Sequence, residues 1–222
     1  MAKDEPSQRT FTEPSRDCPL CPRLAAFREA NRRALPDFFN APVPAFGARD
    51  ARLLIVGLAP GLKGANRTGR PFTGDHAGDL LYATLAKFGF ARGTYDRRAD
   101  DGFALLDCRV TNAVRCVPPE NKPTPEEART CRQNFLAGEI AAMPKLAAIV
   151  ALGQLAHNEV LSAWGERRAA FPFKHGAIHE LGRFALADSY HCSRYNTNTG
   201  VLTPAMFESV FARLRNQLDR RA

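Results

Sequence analysis

Residues 53–75 read LLIVGLAPGLKGANRTGRPFTGD. The apolar run Leu53 to Val56 stops at a glycine, and a long loop dense in glycine follows. A short apolar run bounded by a turn signal reads as a buried strand. A strand that opens into such a loop and then a helix is the repeating unit of α/β sheets, which bind ligands at the carboxyl ends of their strands. The turn itself, Gly57-Leu58-Ala59-Pro60-Gly61, carries no side chain able to move a proton. Its glycines let backbone approach a ligand, so the reactive group has to come from elsewhere.

Outward from this stretch the elements alternate. Strand 52–57 is followed by helix 77–89, strand 104–112, helix 124–142, strand 146–152, helix 154–164, a strand pair within 177–190 and a last helix 204–219. Thr124-Pro125-Glu126-Glu127 is a capping box with proline at the first helical position, and Thr203-Pro204 repeats the cap and proline. Residues 22–33 read as a short amphipathic helix, and Pro36, Pro42 and Pro44 keep the next stretch irregular. The expected fold is α/β: a single domain over residues 18–222 with a central, mostly parallel four-stranded sheet flanked by helices on both faces. Residues 1–17 are expected to be a polar, mobile lead-in.

At 222 residues one sizeable core is expected. Lys and Arg number 31 against 23 Asp and Glu, and the resulting net charge of +8 favours a polyanionic partner. No apolar stretch approaches the ~18 residues that span a bilayer, and the polar amino terminus has no signal-peptide core, so a cytoplasmic protein without membrane contact is expected; it is also expected to be a monomer. In a reducing compartment six cysteines point to metal binding, catalysis or burial rather than disulfides.

The loop is neither a P-loop, since Lys63 is followed by Gly64, nor a dinucleotide fingerprint, since its glycines lack that spacing. Arg67 and Arg70 add positive charge, and Phe72 and Asp75 set an aromatic three residues before a carboxylate. An aromatic can stack a flat ring while the acid works on the bond to it; taken alone, Phe72 also suits core packing and Asp75 an N-cap.

Cys18 and Cys21 form a C-x2-C pair, and Cys116 and Cys131 lie in RCVPPENKPTPEEARTC. Four thiolates from two such segments can complete a tetrahedral set, which zinc and a [4Fe-4S] cluster accept equally, while simple burial would account for Cys116 and Cys131. Cys108 reads as core. Residues 189–203, SYHCSRYNTNTGVLT, gather His191, Ser193, Arg194, Asn196, Asn198 and Thr199 at a strand end. There a histidine can donate to a developing anion and its neighbours can contact phosphates. Asn112 ends the strand before Cys116 and offers both donor and acceptor, as the edge of a uracil-like base requires. His76, His157, His175 and His179 have no comparable context and read as structural.

Together, GLAPG with its continuation to PFTGD, TNAVRCVPPENKPTPEEARTC, HCSRYNTNTG and the Cys18/Cys21 pair resemble the uracil-DNA glycosylase superfamily, most closely its iron-sulfur-containing family 5, the type b enzymes of bacteria and archaea. The resemblance runs from residue 18 to about 203. Leu58 stands where family-4 relatives carry an acid, GEAPG. Carried over, the resemblance implies Cys18, Cys21, Cys116 and Cys131 as ligands of a [4Fe-4S] cluster. It implies Phe72 as the ring stacked on a flipped base, with Gly57, Leu58 and Ala59 lining its site, and Asn112 as edge-reader. His191 becomes a donor to the base and Asp75 the acid that orients water. Arg67, Ser193, Arg194, Tyr195 and Asn196 are the expected DNA contacts. The family's usual His-Pro-Ser is here His191-Cys192-Ser193, which predicts a looser loop. The resemblance implies a monofunctional DNA glycosylase of base excision repair in a prokaryotic cytoplasm, nucleoid-associated when bound to DNA, that acts on uracil, with hypoxanthine or xanthine as further candidate bases. The alternative is a metal-containing protein that binds damaged DNA without cleaving it.

Overall fold

The computed structural model describes residues 11–220. In chain order it contains α1 (Pro22–Ala34), β1 (Leu53–Gly57), α2 (Ala65–Thr68), α3 (His76–Lys87), β2 (Ala91–Arg92), β3 (Ala104–Leu105), β4 (Cys108–Asn112), α4 (Pro125–Cys131), α5 (Ala137–Ala141), β5 (Ala148–Leu152), α6 (Gln154–Ala163), β6 (Ile178–Glu180), β7 (Ala185–Ser189), α7 (Arg194–Asn198) and α8 (Pro204–Arg220). The main sheet runs β4-β1-β5-β7-β6. Its first four strands are parallel, and β6 pairs antiparallel with β7.

The sheet therefore has five strands rather than the expected four, because both strands of the 177–190 pair join it. The expected strand 104–112 is also divided. Asp107 adopts a φ of +51°, and its carboxylate takes the backbone N–H and the Nε of Arg52 at 2.7 and 2.6 Å. The chain before it pairs with β2 in a separate ribbon, and the chain after it joins β1. The expected helix 124–142 is interrupted by a π-helical turn, Arg132–Leu136, between α4 and α5.

β1 is buried along its whole length, as a central parallel strand must be. Its alternation sorts the core: Leu53 and Ile55 face α3 and α8, whereas Leu54 and Val56 face α5 and α6. α8 presents Phe207, Val210, Phe211, Leu214 and Leu218, a stripe at helical spacing.

Of the expected mobile lead-in, residues 1–10 lie outside the described residues, and within residues 11–17 Phe11 and Glu13 pack against the body while Thr12 and residues 15–17 are exposed. Phe11 is buried. Glu13 bridges Arg109 and Arg115 at 2.9 Å each, and Glu139 meets the same two guanidinium groups at 2.6 Å each from the other side. Among the described residues no helix is long and apolar enough to cross a membrane.

Candidate active site

A cleft of about 540 Å³ opens at the carboxyl ends of β1 and β4. It gathers Leu58, Ala59, Phe72, Asp75, Asn112, His191, Ser193 and Arg194 from four separate stretches of chain. Gly57 lies directly behind the wall, against Phe72 and Asn112. Arg67, Tyr195 and Asn196 stand outside the lining; Arg67 Nε donates to the Lys63 carbonyl at 3.0 Å, and Tyr195 is 74% exposed.

Register explains the first contact. Gly57 and Asn112 are partners at the ends of β1 and β4. A Cβ at Gly57 would stand 2.7 Å from Phe72 Cε2 and 2.5 Å from Asn112 Oδ1. The glycine thus leaves the space in which the ring and the amide meet. Phe72 has a φ of +52°, a conformation that costs a non-glycine residue about 1–2 kcal/mol. Asn112 is 3% exposed, and its Oδ1 has no hydrogen-bond partner among the described residues. A buried acceptor left without a donor forfeits about 1–3 kcal/mol, which a ligand N–H would recover.

Asp75 is the N-cap of α3, its Oδ1 accepting from Gly78 N at 3.4 Å. Its carboxylate also lies against the backbone of the opening turn: a Cβ at Gly61 would meet Oδ2 at 3.2 Å, and one at Gly64 would meet Cγ at 2.8 Å. Capping and cleft-lining, alternatives in the sequence, coexist here. Burial raises the Asp75 pKa above the ordinary carboxylate value, although backbone N–H groups of Gly78 and Ala77 oppose the shift. Burial likewise lowers His191 to about 4, so its ring is neutral at pH 7. That ring faces Phe72, centroids 6.0 Å apart and planes inclined by 28°.

The His191 loop is tied rather than loose. Cys192 is fully buried, its Sγ 3.4 Å from the Ala77 carbonyl. Asn196 Nδ2 donates to the His191 carbonyl at 2.8 Å, and Ser193 caps α7. The thiol supplies by packing what a proline would supply by a fixed φ.

Sequence reasoning missed Pro60, Lys63, His76 and Asn121, all in the wall. His76, read as structural, joins the two sides of the cleft through Nε2 and Thr197 Oγ1 at 2.9 Å. Its position directly after Asp75 was the available signal. Asn121, at φ +56° in a tight turn, left none. His157 is buried and His179 half-buried, and both rings meet the buried carboxylate of Asp188, at 2.6 and 3.1 Å.

The four expected metal ligands converge. Cys18, Cys21, Cys116 and Cys131 line one narrow cleft with Leu24, Val114 and Phe135, and none is in a disulfide. The Arg115 N–H donates to Cys131 Sγ at 3.3 Å. Burial pushes the Cys116 thiol up to about 12 and Cys131 to about 11. A cation binding there would have to displace those protons. Zinc with bonds of about 2.3 Å holds thiolates about 3.8 Å apart. Among the described residues the one group of three whose ligand atoms lie within 4.8 Å of one another is His157, His179 and Asp188, so the thiols are more open than a zinc tetrahedron. Four cysteines are a donor set that zinc and iron-sulfur clusters both accept.

A doubly covered α/β sheet with a polar cleft at its carboxyl edge has relatives of known class. The family profile described as "Uracil DNA glycosylase superfamily" matches residues 44–215. The type-5 uracil-DNA glycosylase of Thermus thermophilus is 45% identical over 91% of this chain and 94% of its own length. That of Mycobacterium tuberculosis is 43% identical over 87% of this chain and 75% of its own, and the type-4 enzyme of Pyrobaculum aerophilum is 31% identical over 74% and 75%. The chain belongs to the uracil-DNA glycosylase superfamily. Within it, the chain belongs to the type-5 uracil-DNA glycosylases.

Proposed function

We propose that this protein is a monofunctional DNA glycosylase that hydrolyses the bond between deoxyribose and a uracil flipped out of DNA, leaving an abasic site for base excision repair. The observation that carries the assignment is the orphaned, buried Oδ1 of Asn112 beside the Phe72 ring, in a cleft that also holds Asp75 and His191. Uracil offers an N–H between two carbonyls, so an amide can accept from the N–H and donate to the adjacent oxygen. Cytosine has no hydrogen on that nitrogen and would leave Oδ1 unpaired. Hypoxanthine and xanthine present the same N–H beside a carbonyl, which supports their acceptance.

Extrusion of the base costs a few kcal/mol, least for a mismatched pair. Lys63, Arg67, Ser193, Arg194 and Asn196 suit contacts with the flanking phosphates, and the exposed ring of Tyr195 suits the gap left in the stack. As the glycosidic bond lengthens, positive charge develops on the sugar and negative charge on the base. Asp75, a carboxylate with a raised pKa, is matched to orienting water, accepting its proton and opposing the sugar cation. His191, neutral, donates an N–H to the departing base without protonating it, together with backbone N–H groups of residues 57–59.

Cys18, Cys21, Cys116 and Cys131 would hold a [4Fe-4S] cluster, which would supply a rigid link between α1, the segment after Asn112 and α4. Val114, two residues before Cys116, donates its N–H to the Leu58 carbonyl at 3.0 Å, so this anchor adjoins the recognition turn.

The test is incubation with a uracil-containing oligonucleotide followed by alkali. Free uracil and alkali-labile strands are expected, and Asp75→Ala should lose excision while keeping DNA binding. Binding of the oligonucleotide without release of uracil would refute catalysis. A parent-like rate in Asp75→Ala would refute the role of Asp75.

A further inference from the structure

Residues 93–103, GTYDRRADDGF, carry no motif in the sequence. They connect β2 to β3 and fold back over the start of α3. The Tyr95 ring packs on Tyr82 and Phe103, with centroids 4.7 and 6.0 Å apart. Its hydroxyl donates to the Phe72 carbonyl at 3.2 Å and accepts from the Gly74 N–H at 3.2 Å. One oxygen therefore grips the chain on both sides of Thr73, at the residue with the left-handed φ and immediately before Asp75.

The rest of the strap is braced. Asp101 makes a two-point ion pair with Arg70, 2.8 and 2.7 Å, and both side chains are buried. Arg70 Nε in turn donates to Thr73 Oγ1 at 2.8 Å. Arg97 makes a second two-point pair with Asp79 on α3, 2.8 and 2.7 Å. The first turn of α3 leaves no slack: a Cβ at Gly78 would stand 2.5 Å from Tyr95 Oη and nearer still to the Phe72 carbonyl.

We infer that Tyr95 is a positioning residue for the glycosylase reaction, its hydroxyl holding Phe72 and Asp75 in working geometry from behind the cleft. Tyr95 does not line the cleft, so it acts on the site from behind. Without the hydroxyl, the Phe72 carbonyl and the Gly74 N–H each lose their partner, and Phe72 is free to leave its strained conformation. Such a change turns the ring off the base and rotates the carboxylate that follows.

The inference rests on the roles proposed for Phe72 and Asp75, so three variants are measured together. In Tyr95→Phe, which keeps the ring packing, single-turnover excision should fall by about 10-fold to 100-fold, the scale of a small misplacement of reacting groups. Its Kd for an oligonucleotide carrying non-cleavable 2′-fluoro-2′-deoxyuridine should stay within about twofold, because the phosphate contacts that dominate affinity are untouched. A rate within twofold of the parent, or a rate and an affinity that fall in step, overturns the inference. Phe72→Ala and Asp75→Asn are the parallel controls: parent-like rates in both sink the site assignment, whereas loss in both with a parent-like Tyr95→Phe sinks the positioning role alone. Should Tyr95→Phe melt below the assay temperature, Asp101→Glu perturbs the strap from its far end. The same loss of rate at constant Kd is expected there, and an unchanged rate counts against the strap.

Discussion

Replacing Gly57 by alanine puts a methyl group between the two side chains assigned to the base. The added carbon would lie 2.7 Å from Phe72 Cε2 and 2.5 Å from Asn112 Oδ1, where an ordinary carbon contact needs about 3.5–4.0 Å. Something must therefore move by about 1 Å. The strand cannot yield easily, since β1 is hydrogen-bonded in register to β4 and buried throughout. The ring and the amide are the groups left to move. Overpacking of this kind costs about 1–3 kcal/mol. For a chain of this size that lowers Tm by about 2–4 °C per kcal/mol. Displacement of the stacking ring and edge-reader by about 1 Å costs about 100-fold in rate. Gly57→Ala is expected to fold, to melt a few degrees lower and to lose about two orders of magnitude in single-turnover uracil excision, with DNA affinity little changed. Excision within threefold of the parent, measured beside an intact melting transition, would refute the reasoning that the Gly57 gap is what lets Phe72 and Asn112 work together.

The acid limb of the excision profile should lie above the ordinary carboxylate pKa, because Asp75 must be ionised and burial raises its pKa. No limb near 6.5 is expected from His191, which stays neutral down to about pH 4; a limb there that survives in Asp75→Asn would contradict both assignments. By linkage, an acid whose folded pKa is raised costs stability once the pH exceeds its unfolded pKa, a cost that is fully present above its folded pKa. Asp75→Asn should therefore be inactive yet no less stable than the parent at neutral pH, by urea titration. Glu139→Gln leaves the guanidinium groups of Arg109 and Arg115 with only Glu13 as a carboxylate partner, and a buried pair broken in this way costs about 3–5 kcal/mol; a urea midpoint unchanged by the substitution would refute it. The purified protein should carry iron and acid-labile sulfide in equal amounts, lost in Cys116→Ser, and stoichiometric zinc instead would overturn the cluster. Borohydride trapping on uracil DNA should yield no covalent adduct, and an adduct abolished by Lys63→Ala would overturn the monofunctional assignment.

What the sequence made legible were features with a local signature. The strand run before Gly57, the Thr124 capping box and the proline starts of α4 and α8 each appear where periodicity and caps put them. The split at Asp107 was hidden because only the tertiary partner Arg52 turns that residue out of the strand. Asn112 and His191 were legible as polar residues at strand ends, whereas Phe72 and Asp75, which alone suit core packing and an N-cap, were marked out by the family resemblance; all four share one cleft. Lys63, His76 and Asn121 were not, since membership of the wall depends on how the loops close. Tyr95 was least legible of all, because its contacts are with backbone atoms 23 and 21 positions away.

The cleft is assembled from features that each cost stability: a left-handed Phe72, a desolvated Asp75 and an Asn112 oxygen without a donor. Features of this kind persist only where the surrounding structure over-determines them. Two buried charge networks answer that need. Arg70 with Asp101 backs the Phe72–Asp75 segment, and Glu13, Glu139, Arg109 and Arg115 back β4 and the residues leading to Cys116. Buried ion pairs add little net stability over apolar packing, but they punish any departure from one geometry. Their location directly behind the strained residues therefore argues that they serve the precision of the site, and that variants in them should lose excision before they lose the fold.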